Sequence, residues 1–206
     1  MPELGLFPLP LVLMPTERLP LHIFEPRYKE LIGECIESGD EFGLVLATGD
    51  GAVHEVGTRA AIDEVLEVLD DGAMNVVVRG TERFRLLELT SGRSFTTCLV
   101  EAVDDTGDDP DPEDERKVVE LFRALAEITA SDVELPGGDE DQLDFVLASR
   151  VDLGAAPKQE LLASTSPRDR MHRLVGLFEE ALEAARAQHA LRERAGRNGK
   201  VAPLDD

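Results

Sequence analysis

The chain has 206 residues, of which 42% are hydrophobic, so it has enough apolar residues to bury a packed core. Its formal net charge is −22, and such a surface repels the phosphates of nucleic acids and of anionic membranes. No apolar run is long enough to span a bilayer, and prolines at positions 8, 10 and 15 interrupt the N-terminal apolar segment. We therefore predict a cytoplasmic protein with no nucleic-acid or membrane partner.

Short apolar runs separated by turn residues fill the first hundred positions, a pattern typical of a compact mixed or antiparallel sheet or barrel. One helix is predicted among them, Pro26–Ser38, because proline suits the first helical position and Gly39 suits a helix terminator. We predict strands at Leu9–Met14, Arg18–Phe24, Phe42–Leu46, Val53–Val56, Ala60–Leu69, Met74–Arg79, Arg83–Leu89 and Phe95–Val103. Of these, Leu9–Met14 is predicted to lie at a sheet edge, where an extended peptide can add as a further strand.

The composition changes at residue 101, because nine of the fifteen residues in Glu101–Glu115 are acidic. Such a run is usually a solvated linker. We predict a β-domain at 1–105, an acidic linker at 106–116, a helical bundle at 117–195 and a flexible tail at 196–206. Within the second half, Asp111-Pro112 and Ser166-Pro167 are helix starts, and apolar stripes predict helices over Val118–Ile128, Leu143–Val151, from Pro157 and from Pro167 to about Arg194. The polar segment Ser131–Asp141 is predicted to be a loop.

Motifs that carry catalysis are missing from the sequence. There is no GxSxG nucleophile elbow and no GxxxxGK[ST] phosphate loop, and the four histidines are scattered. Prolines at positions 110 and 112 interrupt the acidic run where a calcium loop needs regularly spaced ligands. Cys35 and Cys98 are far apart in sequence and are interpreted as small core residues. We therefore predict no catalytic residue, no cofactor and no metal, so that the chain is not an enzyme.

Three segments occur in an order and spacing that resemble the N-terminal, substrate-binding domain of Lon proteases. They are LPLHIFEPRY at Leu19–Tyr28, RGTERF at Arg79–Phe84 and KQELL at Lys158–Leu162, and the resemblance extends from about Leu6 to Leu182. It implies an α+β fold in which a PUA-like, mixed or antiparallel β-barrel-like domain with one or two helices precedes an α-helical bundle. It also implies a role in recognising unfolded or tagged substrates.

In full Lon proteases an ATPase domain and a Ser–Lys peptidase domain follow this region, whereas the present chain ends at Asp206. The resemblance therefore leads us to expect a stand-alone, non-catalytic module that binds an unfolded or extended polypeptide or another protein partner. Two alternatives stay open. The chain could be a component of, or an accessory to, an ATP-dependent protease, or it could bind RNA as other PUA-like proteins do, although its charge opposes this.

The motif residues are interpreted as structural rather than as ligand contacts. Along the first motif, Leu21 and Ile23 share one face of a strand and Pro20, His22 and Phe24 share the other. The following residues turn the chain into the helix, and Tyr28 suits the seam between helix and sheet. We expect Arg27 to pair with an acid elsewhere or with a backbone carbonyl. The complete set of motif residues is Leu19, Pro20, Leu21, His22, Ile23, Phe24, Glu25, Pro26, Arg27, Tyr28, Arg79, Gly80, Arg83 and Phe84.

The second motif contains the two candidate partner contacts. Arg79 and Arg83 flank Gly80, where a turn or bulge is predicted, and could receive a peptide carboxylate or an acidic partner. Pairing with the chain's own carboxylates is the favoured interpretation, because acids outnumber bases two to one, 43 against 21. Phe84 is predicted to lie in the core.

Overall fold

The computed structural model describes residues 3–49, 51–129 and 142–198, with side chains described through Arg192. The predicted loop Ser131–Asp141 and the tail from residue 199 lie outside these residues. The described strands are β1 Glu3–Leu9, β2 Arg18–Ile23, β3 Phe42–Leu46, β4 Val56–Val68, β5 Met74–Thr90 and β6 Thr97–Ala102. The described helices are α1 Pro26–Ser38, α2 Pro112–Thr129, α3 Leu143–Arg150, α4 Ala155–Ala163 and α5 Pro167–Asn198. The α+β prediction is confirmed.

Five of the strands close into a barrel. The sheet order is β2-β5-β4-β3-β1-β6, and β5 also pairs with β6, which joins the two ends. Only β1 and β3 run parallel, so the sheet is mixed, as predicted. One edge of β5 serves two neighbours: residues 74–79 pair with β2, and residues 84–90 pair with β6. As a result β2 lies outside the closed ring, as an added strand on the first half of β5.

The predicted strand Leu9–Met14 is wrong. The first strand ends at Leu9, and it lies between β3 and β6 rather than at an edge. Leu13 and Met14 are buried through tertiary contacts instead: the Leu13 carbonyl accepts a hydrogen bond from Thr58 Oγ1 at 2.6 Å, and the Met14 carbonyl accepts one from Glu17 N. An apolar run bracketed by prolines indicates burial here, but the main chain turns instead of pairing.

The two strands predicted on either side of Gly80 form one continuous strand, β5. Gly80 lies within it, and the pairing with β4 shifts register beside it, where Ala60 faces Gly80 and Thr58 faces Arg83. The alternative of a turn at Gly80 is therefore wrong, whereas the alternative of a bulge agrees with the register shift at this position. The predicted strand Val53–Val56 is also wrong, because Val53 makes only an isolated bridge with Ala47 and β4 begins at Val56.

The helical half packs directly on one end of the barrel. Its core residues, including Phe122, Leu174 and Phe178, form one cluster with Met14 and Val56 of the β-half. A second cluster fills the barrel beneath α1, and a third surrounds Phe84. The core prediction for Phe84 is therefore confirmed.

The segment predicted as an acidic linker makes specific contacts. Helix α2 begins at Pro112, with Asp111 Oδ1 accepting from Glu113 N at 2.8 Å, so residues 112–116 are helical rather than linker. Before it, Thr106 N donates to Thr165 O, and Ser166 Oγ donates to Asp108 Oδ2. At the other end, α5 reaches Asn198, so the predicted tail start at 196 falls inside a helix. The division into a β-domain and a bundle stays a prediction.

Candidate functional site

The first motif forms the corner at which β2 passes into α1. Its inward residues Leu19, Leu21 and Ile23 pack on the barrel core, and its outward residues are exposed, as the alternation predicts. The carbonyl of Glu25 accepts from Tyr28 N and Lys29 N, which starts the helix at Pro26. The corner therefore orients the outward face of β2 relative to α1.

Tyr28 and Arg27 stabilise this corner in different ways. The Tyr28 ring is buried and stacks on Phe7, with ring centres 4.0 Å apart. Arg27 pairs with Glu25 at 2.8 Å and lies 4.5 Å from the centre of the Tyr28 ring. The acid expected elsewhere in the chain is thus a neighbour within the motif, and because both side chains are exposed the pair contributes little stability.

Three strands share an exposed surface that we call the outer face. It consists of the outward side of β2 and the adjoining halves of β5 and β4. A polar row crosses it, in which His22 Nδ1 and Asn75 Oδ1 are 2.7 Å apart and Asn75 Nδ2 donates to Glu67 Oε2 at 3.0 Å. A shallow groove of about 550 Å³ lies here, lined by residues that include Pro20, His22 and Leu66.

Large apolar side chains are exposed on and beside the outer face. Phe24 is 62% exposed at the end of β2, and Leu66 and Val68 of β4 are 55% and 63% exposed. Phe24 stacks only on the His22 ring, with centres 5.8 Å apart. Phe24 and Leu66 therefore leave apolar surface exposed next to the edge strand β2, whereas Val68 pairs with the core residue Met74 and lies on the other side of the sheet. Sequence alternation alone placed Leu66 and Val68 in a strand but did not show that they are exposed.

The two candidate arginines separate in the structure. Arg79 is on the outer face, half exposed, with its Nε 3.6 Å from Asp63 Oδ1, and Arg18 Nε is 2.7 Å from the same carboxylate. Arg83 is buried and points into the junction between barrel and helices. This burial removes Arg83 from the surface, so of the two predicted contacts only Arg79 is placed to meet a partner.

Arg83 belongs to a buried network of four charges, which we call the junction network: Arg83, Asp105, Asp144 and Arg170. Arg170 Nε is 2.5 Å from Asp144 Oδ2, and its Nη1 and Nη2 donate to the two oxygens of Asp105 at 2.6 Å. Arg83 Nη2 donates to Asp105 Oδ1 at 2.5 Å, and its Nη1 donates to the Leu162 and Ser164 carbonyls. Both guanidinium groups also lie over the Phe145 ring. The network joins β5, the chain after β6, α3 and α5.

The pKa shifts within the junction network follow its geometry. Burial lowers the pKa of Arg83, which has one carboxylate partner and faces the positive charge of Arg170. Burial would also lower the pKa of Arg170, but hydrogen bonds and charges of Asp105 and Asp144 raise it. Burial would raise the pKa of Asp105, but Arg170 and then Arg83 outweigh burial and lower it. The lowered pKa of Asp105 and the raised pKa of Arg170 favour the ionised forms of this pair in the folded protein.

Asp105 gives the chain a stability term that depends on pH. Because its folded pKa is below its unfolded value of about 3.9, this stabilisation is present above that pH and is lost as pH falls through the folded pKa. We expect Asp105→Asn to lower the free energy of unfolding at pH 7 by about 1–2 kcal/mol, a moderate value because the side chain is 32% exposed. The difference from the unmodified chain should narrow as pH falls below about 3.9.

Urea denaturation of both chains between neutral and acid pH measures this difference, and carboxylates common to both chains cancel in it. Asp63→Asn is a matched control, because Asp63 pairs with arginines on the exposed outer face. A constant difference between the Asp105→Asn chain and the unmodified chain across the acid range would contradict the role given to Asp105.

A second join between the two halves involves the third motif. Lys158 Nζ is 3.7 Å from Glu17 Oε1, Gln159 Nε2 donates to Val56 O at 2.9 Å, and Leu161 and Leu162 are buried in the shared core. Glu17 Oε2 also accepts from Met14 N at 2.8 Å, although burial dominates and raises the Glu17 pKa. The KQELL segment therefore attaches α4 to the barrel, a role that its sequence alone did not reveal.

The two cysteines lie in the core of the protein. Burial raises the pKa of both Cys35 and Cys98 to about 11, so the thiols stay protonated near neutral pH and are poor nucleophiles. Both are free, buried cysteines, which confirms their interpretation as core residues. In the described residues no group of three or more His, Cys, Asp or Glu side chains is arranged to hold a metal ion. The described helices include none with the length and hydropathy needed to cross a membrane.

Residues 3–180 match the family described as the ATP-dependent protease La (LON) substrate-binding domain. The chain belongs to this family. The matched range agrees with the resemblance inferred from Leu6 to Leu182. Among solved structures, a Lon N-terminal domain protein from Xanthomonas campestris is similar with a TM-score of 0.69 and 28% identity, over 85% of this chain and 98% of the other. The N-terminal domain of a Mycobacterium avium complex Lon protease, TM-score 0.65 over 86% of this chain and 98% of the other, is only 16% identical and shows the fold alone.

Curated Lon proteases are similar to the Lon-family chain over a limited part of their own length. The protein from Parabacteroides distasonis is 26% identical over an alignment of 184 positions, which covers 80% of this chain and 22% of the relative. The protein from Rhizobium meliloti is 25% identical over an alignment of 206 positions, which covers 91% of this chain and 25% of the relative. The Lon-family chain thus spans about a quarter of the length of these relatives.

Proposed function

We propose that this chain binds an extended, apolar polypeptide segment along the free edge of β2 and across the outer face. The observation that supports this most directly is the position of β2: it pairs with β5 on one side, and no described strand pairs with its other side. The sheet edge capable of strand addition is therefore β2 and not the segment Leu9–Met14. Membership in a substrate-binding family supports the same proposal.

Strand addition suits a partner whose sequence varies. Main-chain hydrogen bonds to an edge strand are independent of the partner's side chains, so they supply affinity without sequence preference. Phe24 and Leu66 add apolar contacts that favour segments normally buried in folded proteins. Together these two contributions select for extension and hydrophobicity, which are the properties of an unfolded chain.

The charges of the outer face favour a polypeptide over RNA. Arg18 and Arg79 are the basic groups of its polar corner, and Asp63 and Glu64 lie within 4 Å of them. Glu67 adds a further negative charge on the polar row. A phosphate backbone needs an excess of positive charge, and this face does not supply one. Arg79, half exposed beside Asp63, is the residue that we propose meets an acidic group of the partner.

The runner-up proposal is that the chain serves an ATP-dependent protease as a component or an accessory in the cytoplasm. It rests on the family and on the curated relatives, which are Lon proteases. Polypeptide binding is common to both proposals, so it is the property to test first.

The test compares two exposed leucines. We expect Leu66→Ser to weaken binding of a dye-labelled, cysteine-blocked unfolded polypeptide by roughly tenfold, because an apolar contact of about 1.4 kcal/mol is lost. Leu191→Ser is the matched control, because Leu191 is 65% exposed but lies on α5. Fluorescence anisotropy measures both affinities, and thermal unfolding should be unchanged in both variants.

Main-chain pairing is tested separately with a short apolar peptide that is N-methylated at alternate residues. N-methylation removes the N–H donors that strand addition requires, so the modified peptide should bind much more weakly than the unmodified one. Equal binding of the two peptides, or equal affinity of the Leu66→Ser and Leu191→Ser chains, would place the polypeptide elsewhere or exclude this mode of binding.

A further inference from the structure

A cleft of about 760 Å³ lies between one end of the barrel and helix α4. The barrel contributes Leu46, Ala47 and Val56 to its wall, and α4 contributes small residues that leave its mouth open. Its small and apolar lining residues are Pro10, Leu46, Ala47, Val56, Ala155, Ala156 and Ala163, and the rest of the lining is Thr48, Gly49, His54, Glu55, Arg85, Gln159 and Glu160. Pockets of this size and composition, at the seam between two parts of a fold, are typical of sites for small ligands.

Gln159 introduces one buried polar group into this apolar wall. The residue is 5% exposed, and its Nε2 donates to Val56 O at 2.9 Å. The Val56 carbonyl can only accept a hydrogen bond. The branch of the Gln159 amide that faces it must therefore be the nitrogen, and the other branch is the oxygen. The oxygen, Oε1, has no hydrogen-bond partner in the described part of the chain. An unpartnered buried acceptor lowers stability, and in a cleft it indicates a donor supplied from outside.

The charged groups around the cleft are already paired, which leaves Gln159 as the unsatisfied acceptor. Arg85 lies 3.5 Å from Glu101 and 3.8 Å from Glu55, and Glu160 pairs with Arg173. An uncharged N–H donor therefore fits the cleft better than an ion, because no unpaired charge in the lining would offset the desolvation of an ion.

We propose that this cleft binds a ligand in which a secondary-amide N–H adjoins a compact apolar group. The N–H donates to Gln159 Oε1, and the apolar group packs against Leu46, Val56 and the alanines of α4. Because Oε1 is covered from solvent and Nε2 donates to Val56 O, ligand binding requires the Gln159 amide to turn toward the cleft and to exchange that bond for the one from the ligand N–H. One apolar residue between two amide bonds has this chemistry, whether it belongs to a peptide or is a free small amide. The site is distinct from the outer face, because Val56 and Arg85 lie near the opposite end of the β4–β5 pair from Asn75.

The probes are N-acetyl-leucine N′-methylamide, a capped peptide of about five residues centred on leucine, and forms of both with the leucine nitrogen methylated. Two-dimensional NMR titration of the full chain should show saturable shifts at the cleft residues, with roughly tenfold weaker binding of the methylated forms. Tighter binding of the peptide than of the small amide assigns the site to polypeptides, and equal binding assigns it to small amides; either outcome supports the proposal.

Two variants test the cleft itself. Gln159→Met removes the acceptor and should weaken binding roughly tenfold. Ala156→Phe fills the mouth from an exposed position on α4 and should abolish binding without disturbing the core. Ala184→Phe, at an exposed position on α5, is the matched control and should bind as the unmodified chain does.

Absence of saturable shifts up to about 10 mM of either probe would overturn the proposal. Equal binding by the Ala156→Phe and Ala184→Phe chains would do the same. The Leu66→Ser chain separates this site from the outer face: it should retain full affinity for both probes, and a loss there would show that the probes bind the outer face instead. Failure of strand addition at β2 leaves these outcomes unaffected.

Discussion

Arg170→Met should destabilise the chain by about 3–5 kcal/mol, the largest effect expected of any single side chain in the junction network. Asp144 is buried, and Arg170 Nε is its partner in the network. Without the guanidinium, Asp144 is a buried carboxylate with no hydrogen-bonded cation, and Asp105 keeps only its bond from Arg83. Methionine fills a similar volume, so the loss reflects charge pairing and hydrogen bonding more than a cavity. Chemical denaturation followed by circular dichroism measures the change.

Arg173→Met is the matched control for this prediction. Arg173 is on the same helix and pairs with Glu160, but both side chains are about half exposed. We expect a change of less than about 1 kcal/mol, because solvent screens such a pair. The double variant Arg170→Met, Asp144→Asn should recover part of the lost stability, since it removes the uncompensated charge. A similar small change for Arg170→Met and Arg173→Met would contradict the structural role of the junction network.

Gly80→Ala should cost about 3 kcal/mol or more, or prevent folding. A Cβ at this position would lie 2.2 Å from the Met14 carbonyl oxygen and 3.1 Å from its carbon. These are backbone atoms, so the collision cannot be relieved by a change of rotamer. Relief requires the 14–17 segment to move away, which breaks the bonds Thr16 N to Gly80 O and Gly80 N to Glu17 O, both 2.9 Å. Thermal unfolding and expression in soluble form measure the result.

Gly33→Ala is the control with the same chemical change and the opposite expected sign. Gly33 is within helix α1, and a Cβ there would meet no atom within 4 Å. Alanine should raise the free energy of unfolding by about 0.5–1 kcal/mol, because glycine loses more backbone entropy in a helix. If both alanine variants were neutral, close packing of β5 on the 14–17 segment would not be the reason for glycine at position 80.

Local signals predicted several element boundaries well. Helix α1 occupies Pro26–Ser38, the range predicted, because proline starts it and Gly39 ends it with a φ of 76°. Strand β3 occupies the predicted Phe42–Leu46. The Ser166 hydroxyl accepts from Asp169 N at 3.0 Å, as expected for a residue that precedes a helix with proline at its first position. Each of these features depends on residues within one turn of chain, so the sequence contains the information needed to locate it.

Strand pairing was harder to predict. The run Leu9–Met14 is apolar because it is buried, as a strand would be. Its burial depends on residues distant in sequence, because Leu13 O accepts from Thr58 and Met14 O lies against Gly80. Whether Leu66 and Val68 are exposed also depends on strand pairing. Their end of β4 extends beyond the barrel, and this follows from how β4 pairs with β5 and β5 with β2. Periodicity reports that one side of a strand is apolar, and it does not report what covers that side.

The sequence by itself determined the family, the α+β class, the corner at Glu25-Pro26 and the core placement of Phe84 and the two cysteines. Only the tertiary structure decided that β2 is the added edge strand, that Arg79 is exposed while Arg83 is buried, and that Gln159 lines a cleft. The physical reason is the range of the interactions. Propensity, capping and alternation act within a few residues, whereas Arg83 with Ser164 and Arg170 with Asp105 join groups 81 and 65 positions apart. Such pairs form only when the barrel and the helices pack together.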